Sequence, residues 1–168
     1  MICLRFIGTF YDLFKFIVKF VIKIFIKTAN FNILKKNKVP GAISIALFPS
    51  NYVDVKYEYK ALAPNYKLLN SLKKKKISEE KFISLYNDQL NELVPKNVLD
   101  HLDSITGSDE PVIMCHCAKT KLCHRHLVAD WLEKNIGTKI EEFNKPDFER
   151  KNGYLIKRKD PSLFNSED

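Results

Sequence analysis

Glycine is scarce in this 168-residue chain, at five residues, and proline is limited to seven. That composition excludes a collagen-like, mucin-like or disordered polymer. Cysteine is scarce as well. Its four positions (Cys3, Cys115, Cys117, Cys123) are too few for a disulfide scaffold, and three of them within nine residues point to a reduced, cytosolic chain with a local thiol site. No uncharged apolar run reaches the roughly 18 residues that a spanning helix needs, because Lys15, Lys19, Lys23 and Lys27 interrupt the apolar N-terminal stretch every fourth residue. The order of a secretory signal, with charge first, a clean apolar centre and a small-residue cleavage site, is missing too. Internal repeats and low-complexity linkers are also absent.

What remains is a globular composition, 45% hydrophobic and 29% charged. At this length one domain is expected, burying roughly two-thirds of the surface of its unfolded chain without disulfides or metal. The formal charge of +8 is unevenly placed: eight basic residues against Asp12 in residues 1–38 leave the remainder nearly neutral. The run Lys73 to Lys76 leads directly into Glu79 and Glu80 and reads as a solvated loop before a helix.

Lysines four apart could place residues 1–21 on a membrane surface or on a partner as an amphipathic helix. The same residues also suit a translated leader. Residues 22–27, IKIFIK, alternate with period two and read as a first strand. Residues 42–49 form an apolar run bounded by Pro40-Gly41 and Pro49, a buried strand. Helices are expected over 64–72, from Ser78 with its acidic first turn, and from Pro95 to Gly107. A strand over 112–115 ends in Cys115, a helix from about Cys123 closes at Gly137, and 138–143 offers a short last strand. The boundaries are then an extension over 1–21, an α/β domain with a mostly parallel sheet over 22–144, and a polar tail over 145–168.

Three of the four cysteines and three of the four histidines fall in CHCAKTKLCHRH, Cys115 to His126. This segment joins the end of a strand to the start of a helix, the edge at which open α/β sheets bind ligands. Unpaired amides at the helix start would favour an anion or a thiolate at Cys123, His124 and Arg125, and the Arg125 fork suits phosphate. Cys115 also suits a plain buried core position. A cysteine-phosphatase loop is excluded, because seven residues rather than five separate Cys117 from Arg125. A zinc site could use Cys115, Cys117, Cys123 and either His124 or His126, with His126 taken as the fourth ligand. A reactive thiol would be Cys123, its pKa lowered by the helix start, with His124 and Cys117 beside it. Thr28 and Asn30, after the first strand, would face the same edge as ligand-binding residues.

KTANF, SIALFP, LAP at 62–64, FISLYNDQL, VIMC and CHRHLVADWL together resemble the domain-of-unknown-function 488 family of small prokaryotic and phage proteins, over about residues 24–143. In that pattern a strand ends in Cys, matched by Cys115, and Cys-His-Arg opens a helix, matched by Cys123, His124 and Arg125. The family's usual Glu falls on Cys117. The resemblance implies a single Rossmann-like, three-layer α/β domain and no particular reaction. Three functions follow as expectations: a phosphate-bearing small molecule such as a nucleotide held at the strand-end cleft, a zinc-stabilised interaction module, or a nucleic-acid partner bound through the basic N-terminal arm.

Overall fold

The computed structural model describes residues 25–117 and 121–158, and these residues form seven short strands and four α-helices. The strands are β1 (Lys27–Asn30), β2 (Ala42–Ser44), β3 (Tyr57–Glu58), β4 (Val112–Cys115), β5 (Glu141–Glu142), β6 (Phe148–Lys151) and β7 (Tyr154–Lys157). The helices are α1 (Tyr66–Lys73), α2 (Glu79–Asn91), α3 (Pro95–Thr106) and α4 (His124–Ile136). Strands β1 to β5 form one sheet in the order β3-β2-β4-β1-β5, with every pairing parallel. The fold is α/β, as the alternation of strands and helices predicts. The apolar VIMC strand is central, and all four of its residues are buried.

The first strand lies further along the chain than the IKIFIK alternation suggests. Strand β1 is flanked by β4 and β5, so Thr28 and Ala29 are wholly buried. Small side chains fit there, while Phe25, inside the expected strand, is 62% exposed. Strand β2 is shorter than its apolar run, although Ile45 still donates its N–H to the Met114 carbonyl at 3.0 Å. Gly41 fixes the start of β2 beside β4: its carbonyl accepts from Val112 N–H at 2.8 Å, and a Cβ there would lie 2.0 Å from the Glu110 oxygen.

The first three helices begin where the sequence supplies a start signal. Asn65 caps α1 through Leu68 N–H at 2.8 Å and Ser78 caps α2 through Lys81 N–H at 3.2 Å, while Pro95 opens α3. The acidic residues Glu79 and Glu80 in the first turn of α2 favour its positive end. Apolar residues of all four helices, among them Leu68, Phe82, Leu102 and Val128, pack into one core cluster with Ile43, Ile45 and Ile113 of the sheet. The opposite face, with Ala29, Val112 and Met114, is covered by the 3-10 turn Phe31–Lys35 and by Val39, Val53, Val55 and Phe143. Among the described residues this face is covered by loops and a single 3-10 turn.

Residues 145–158, expected as polar tail, hold a β-hairpin. Strands β6 and β7 pair antiparallel around a two-residue turn, Asn152-Gly153, whose φ angles are 50° and 79°. Such a turn follows the right-handed twist of the paired strands. The hairpin is anchored to the domain, because the Gly153 carbonyl accepts from Cys123 N–H at 2.9 Å and Arg150 bonds to Thr28 and Glu133. The expected extension, residues 1–21, lies outside the described residues. Among the described residues no helix is long and apolar enough to cross a membrane.

Candidate metal centre

The parallel register brings the chemistry together at the carboxyl ends of the strands. Asn30, at the end of β1, is paired with Cys115, at the end of β4. Its side-chain amide donates to the His116 carbonyl at 3.0 Å and also to that of Cys117, holding the backbone turn that follows Cys115. The same side chain accepts from Asn32 N–H at 2.8 Å. Helix α4 starts beside this turn, with Cys123 as its N-cap.

The thiols face one another across this junction. Cys115 Sγ lies 3.8 Å from Cys117 Sγ and 3.6 Å from His124 Nδ1. Donor atoms of Cys115, Cys123 and His124 all lie within 4.8 Å of one another, and all three residues are buried. His124 Nε2 is 3.0 Å from the Ile45 carbonyl oxygen. A carbonyl can only accept, so Nε2 carries the proton and Nδ1 presents its lone pair to the thiols. Burial lowers the His124 pKa to about 4 and keeps the ring neutral. Burial also raises Cys123 to about 12, and Cys117 reaches about 12 chiefly through its contact with Cys115. Cys115 is raised as well: its contact with Cys117 favours the thiolate, while the contact with Cys123 and burial oppose it more strongly. Three thiols crowded together hold their protons unless a cation takes their place.

Behind the thiols lies a buried ionic hub. Arg125 is fully buried, and its Nη2 pairs with Glu142 Oε1 at 3.1 Å. Its Nη1 donates to the Cys117 carbonyl at 3.1 Å and lies 3.1 Å from Cys123 Sγ. Glu142 Oε2 accepts from the Thr28 hydroxyl at 2.6 Å, and that hydroxyl accepts from Arg150 Nη2 at 2.6 Å. Burial opposes the charge on Arg125, but Cys123 and Glu142 outweigh it and raise its pKa.

A family model described as the active DUF488-N3 subclade matches residues 26–136. The chain belongs to the DUF488 family. No curated protein and no solved structure matches it. The DUF488 span contains Asn30, all three clustered thiols, His124 and Arg125, and it ends before Glu142 and the hairpin that close the site from behind.

Within this DUF488 domain the expected site residues fall in different surroundings. His126 does not join the thiols; one helical residue step of about 100° separates each neighbour, so His124 and His126 face different ways. His126 Nδ1 is 3.9 Å from Glu142 Oε2, and both its ring nitrogens are buried with no hydrogen-bond partner among the described residues. Arg125, expected to grip an external anion, has its fork turned to Glu142 and away from solvent. Cys123, expected to have a lowered pKa, has a raised one because it is 1% exposed and its amide is covered by Gly153. Thr28 belongs to the Glu142 hub rather than to a ligand loop, whereas Asn30 supports the thiol turn. Glu142 and Arg150 went unassigned in the sequence. Period two in KIEEF places Glu142 on the same side as buried Ile140, a signal for an inward carboxylate that needs a cation.

Proposed function

We propose that the domain binds a tetrahedral Zn²⁺ ion through Cys115 and Cys123 Sγ and His124 Nδ1, whose donor atoms lie within 4.8 Å of one another, with Cys117, 3.8 Å from Cys115 Sγ, as the fourth donor drawn in when the ion binds. The observation that carries this reading is metric. Zinc bonds of about 2.3 Å to sulfur and about 2.0–2.1 Å to nitrogen give a tetrahedron with edges of about 3.8 Å between sulfurs and about 3.6 Å between sulfur and nitrogen. The Cys115–Cys117 and Cys115–His124 separations are 3.8 Å and 3.6 Å. The donor types suit a soft to borderline ion, and His124 has the outer-shell partner, Ile45 O, that fixes a ligating ring. Three thiolates around a divalent ion leave one negative charge, and Arg125 stands beside Cys123 to balance it.

Bound there, the ion ties the end of the central strand to the first turn of α4, so its role is architectural. Cys117 is the half-buried donor and the place where an outside ligand could enter. The phosphate-binding reading has less support, since the guanidinium fork it needs is engaged by Glu142.

The expected result is one zinc per chain by elemental analysis of purified protein, and a tetrahedral thiolate spectrum on replacement with Co²⁺. Cys115→Ser and His124→Ala lose the metal, Cys3→Ser keeps it, and chelation lowers Tm. Metal-free protein whose Co²⁺ spectrum is the same with and without Cys115 and His124 overturns the proposal.

A further inference from the structure

The loops at the carboxyl ends of the strands carry aromatic rings outward. Phe48, Tyr52 and Tyr66 are 50%, 41% and 61% exposed, although large apolar side chains are normally covered. They form a connected surface. Phe48 and Tyr66 meet edge to face with centroids 6.4 Å apart, and Tyr52 meets His116 at 6.1 Å. His116, exposed between Cys115 and Cys117, donates from Nε2 to the Phe48 carbonyl at 3.2 Å and so joins the two halves. A lysine stands over each half: Lys35 Nζ is 4.8 Å from the Tyr52 ring centre and Lys73 Nζ is 5.8 Å from that of Phe48.

The surrounding chain is one-sided in charge. Residues 31–76 hold ten lysines against two acidic residues, Asp54 and Glu58, and Glu58 is paired with Lys60 at 3.0 Å. Lys73 to Lys76 are all exposed. Two of these lysines, Lys35 and Lys73, are the ones that stand over the rings.

We propose that this aromatic and lysine surface binds single-stranded nucleic acid, with bases stacked on Phe48, Tyr52 and Tyr66 and phosphates met by Lys35 and Lys73. Stacking accepts any base, and lysines flanking the rings neutralise the backbone that runs between stacked bases. A duplex hides its base faces and offers only phosphates, so it suits the lysines alone. The surface adjoins the metal centre through His116, but none of its stacking rings or lysines is a proposed metal ligand.

The test is fluorescence anisotropy of labelled mixed-sequence single-stranded DNA and RNA against the full-length, purified protein, with duplex DNA as comparison. Single strands should bind at least 10-fold more tightly than duplex, and affinity should fall with added salt. Tyr52→Ala and Phe48→Ala should each weaken binding about 5-fold or more, whereas Tyr52→Phe retains it because the ring survives. The joint Lys35→Ala and Lys73→Ala variant should flatten the salt dependence. A difference between DNA and RNA would show whether the sugar hydroxyl is read. No binding, equal affinity for duplex, or binding indifferent to loss of the rings overturns the proposal. In the last two cases the lysines act without the aromatics, and in the first the rings serve a protein partner.

Discussion

At the scale of single residues, the most consequential side chain is Glu142. It faces Arg125 with both partners essentially out of solvent, and Lys145, His126 and Thr28 complete its surroundings. Removing one charge from a buried pair strands the other, at a cost of roughly 3–5 kcal/mol. Glu142→Gln should lose that much in urea unfolding, and Arg125→Met combined with Glu142→Leu should recover most of it; a loss under 1 kcal/mol in the single variant contradicts the buried-pair account. Asp130 behaves in the opposite sense. Burial, opposed by Arg150, raises its carboxyl pKa from 3.8 to about 6, so ionisation costs more in the fold than in the unfolded chain. The penalty is absent below pH 3.8, grows between pH 4 and 6, and is complete above. Asp130→Asn should therefore stabilise by about 1 kcal/mol at pH 7, after allowing for its partial exposure, and leave stability at pH 3.5 unchanged. Denaturation midpoints at the two pH values check this.

At the scale of elements, helices were the most legible. Pro64, Ser78, Pro95 and Gly107 mark their ends in the sequence, and the structure starts and stops them within two residues of those marks. Strands were less so, because a parallel strand buried on both faces has no alternation to fix its limits; the run 42–49 overshoots β2 for that reason, and the alternation of IKIFIK draws the first strand ahead of KTAN, which has none. The hairpin was missed although Asn152-Gly153 is the strongest short-range signal for one, since the polar residues around it hide the pattern. Gly153 has φ +79°, and a Cβ there would lie 2.4 Å from Leu122 Cδ1. Gly153→Ala should cost about 1–3 kcal/mol and increase the alkylation rate of Cys123, whose amide the Gly153 carbonyl covers. A variant as stable and as protected as the parent would show that the hairpin does not hold the site.

For the whole molecule, the α/β class and the central place of VIMC were legible because four helix periods alternate with apolar runs. The composition of the site was legible too, since no other segment concentrates thiols and imidazoles so densely. Its wiring was not: whether His124 or His126 joins the thiols depends on helix rotation, and the partner of Arg125 depends on a strand seventeen residues further on. That same spacing in the chain bears on synthesis. Cys115, Cys117 and Cys123 are made before Gly153 and Arg150, which cover the junction from behind. At about 5–20 residues per second, the roughly 30 residues from Cys123 to Gly153 take about 2–6 s to appear. Through that interval the thiols leave the ribosome without their lid, open to whatever ion or oxidant the surrounding fluid holds, and the moment of manufacture decides which of the two they meet first.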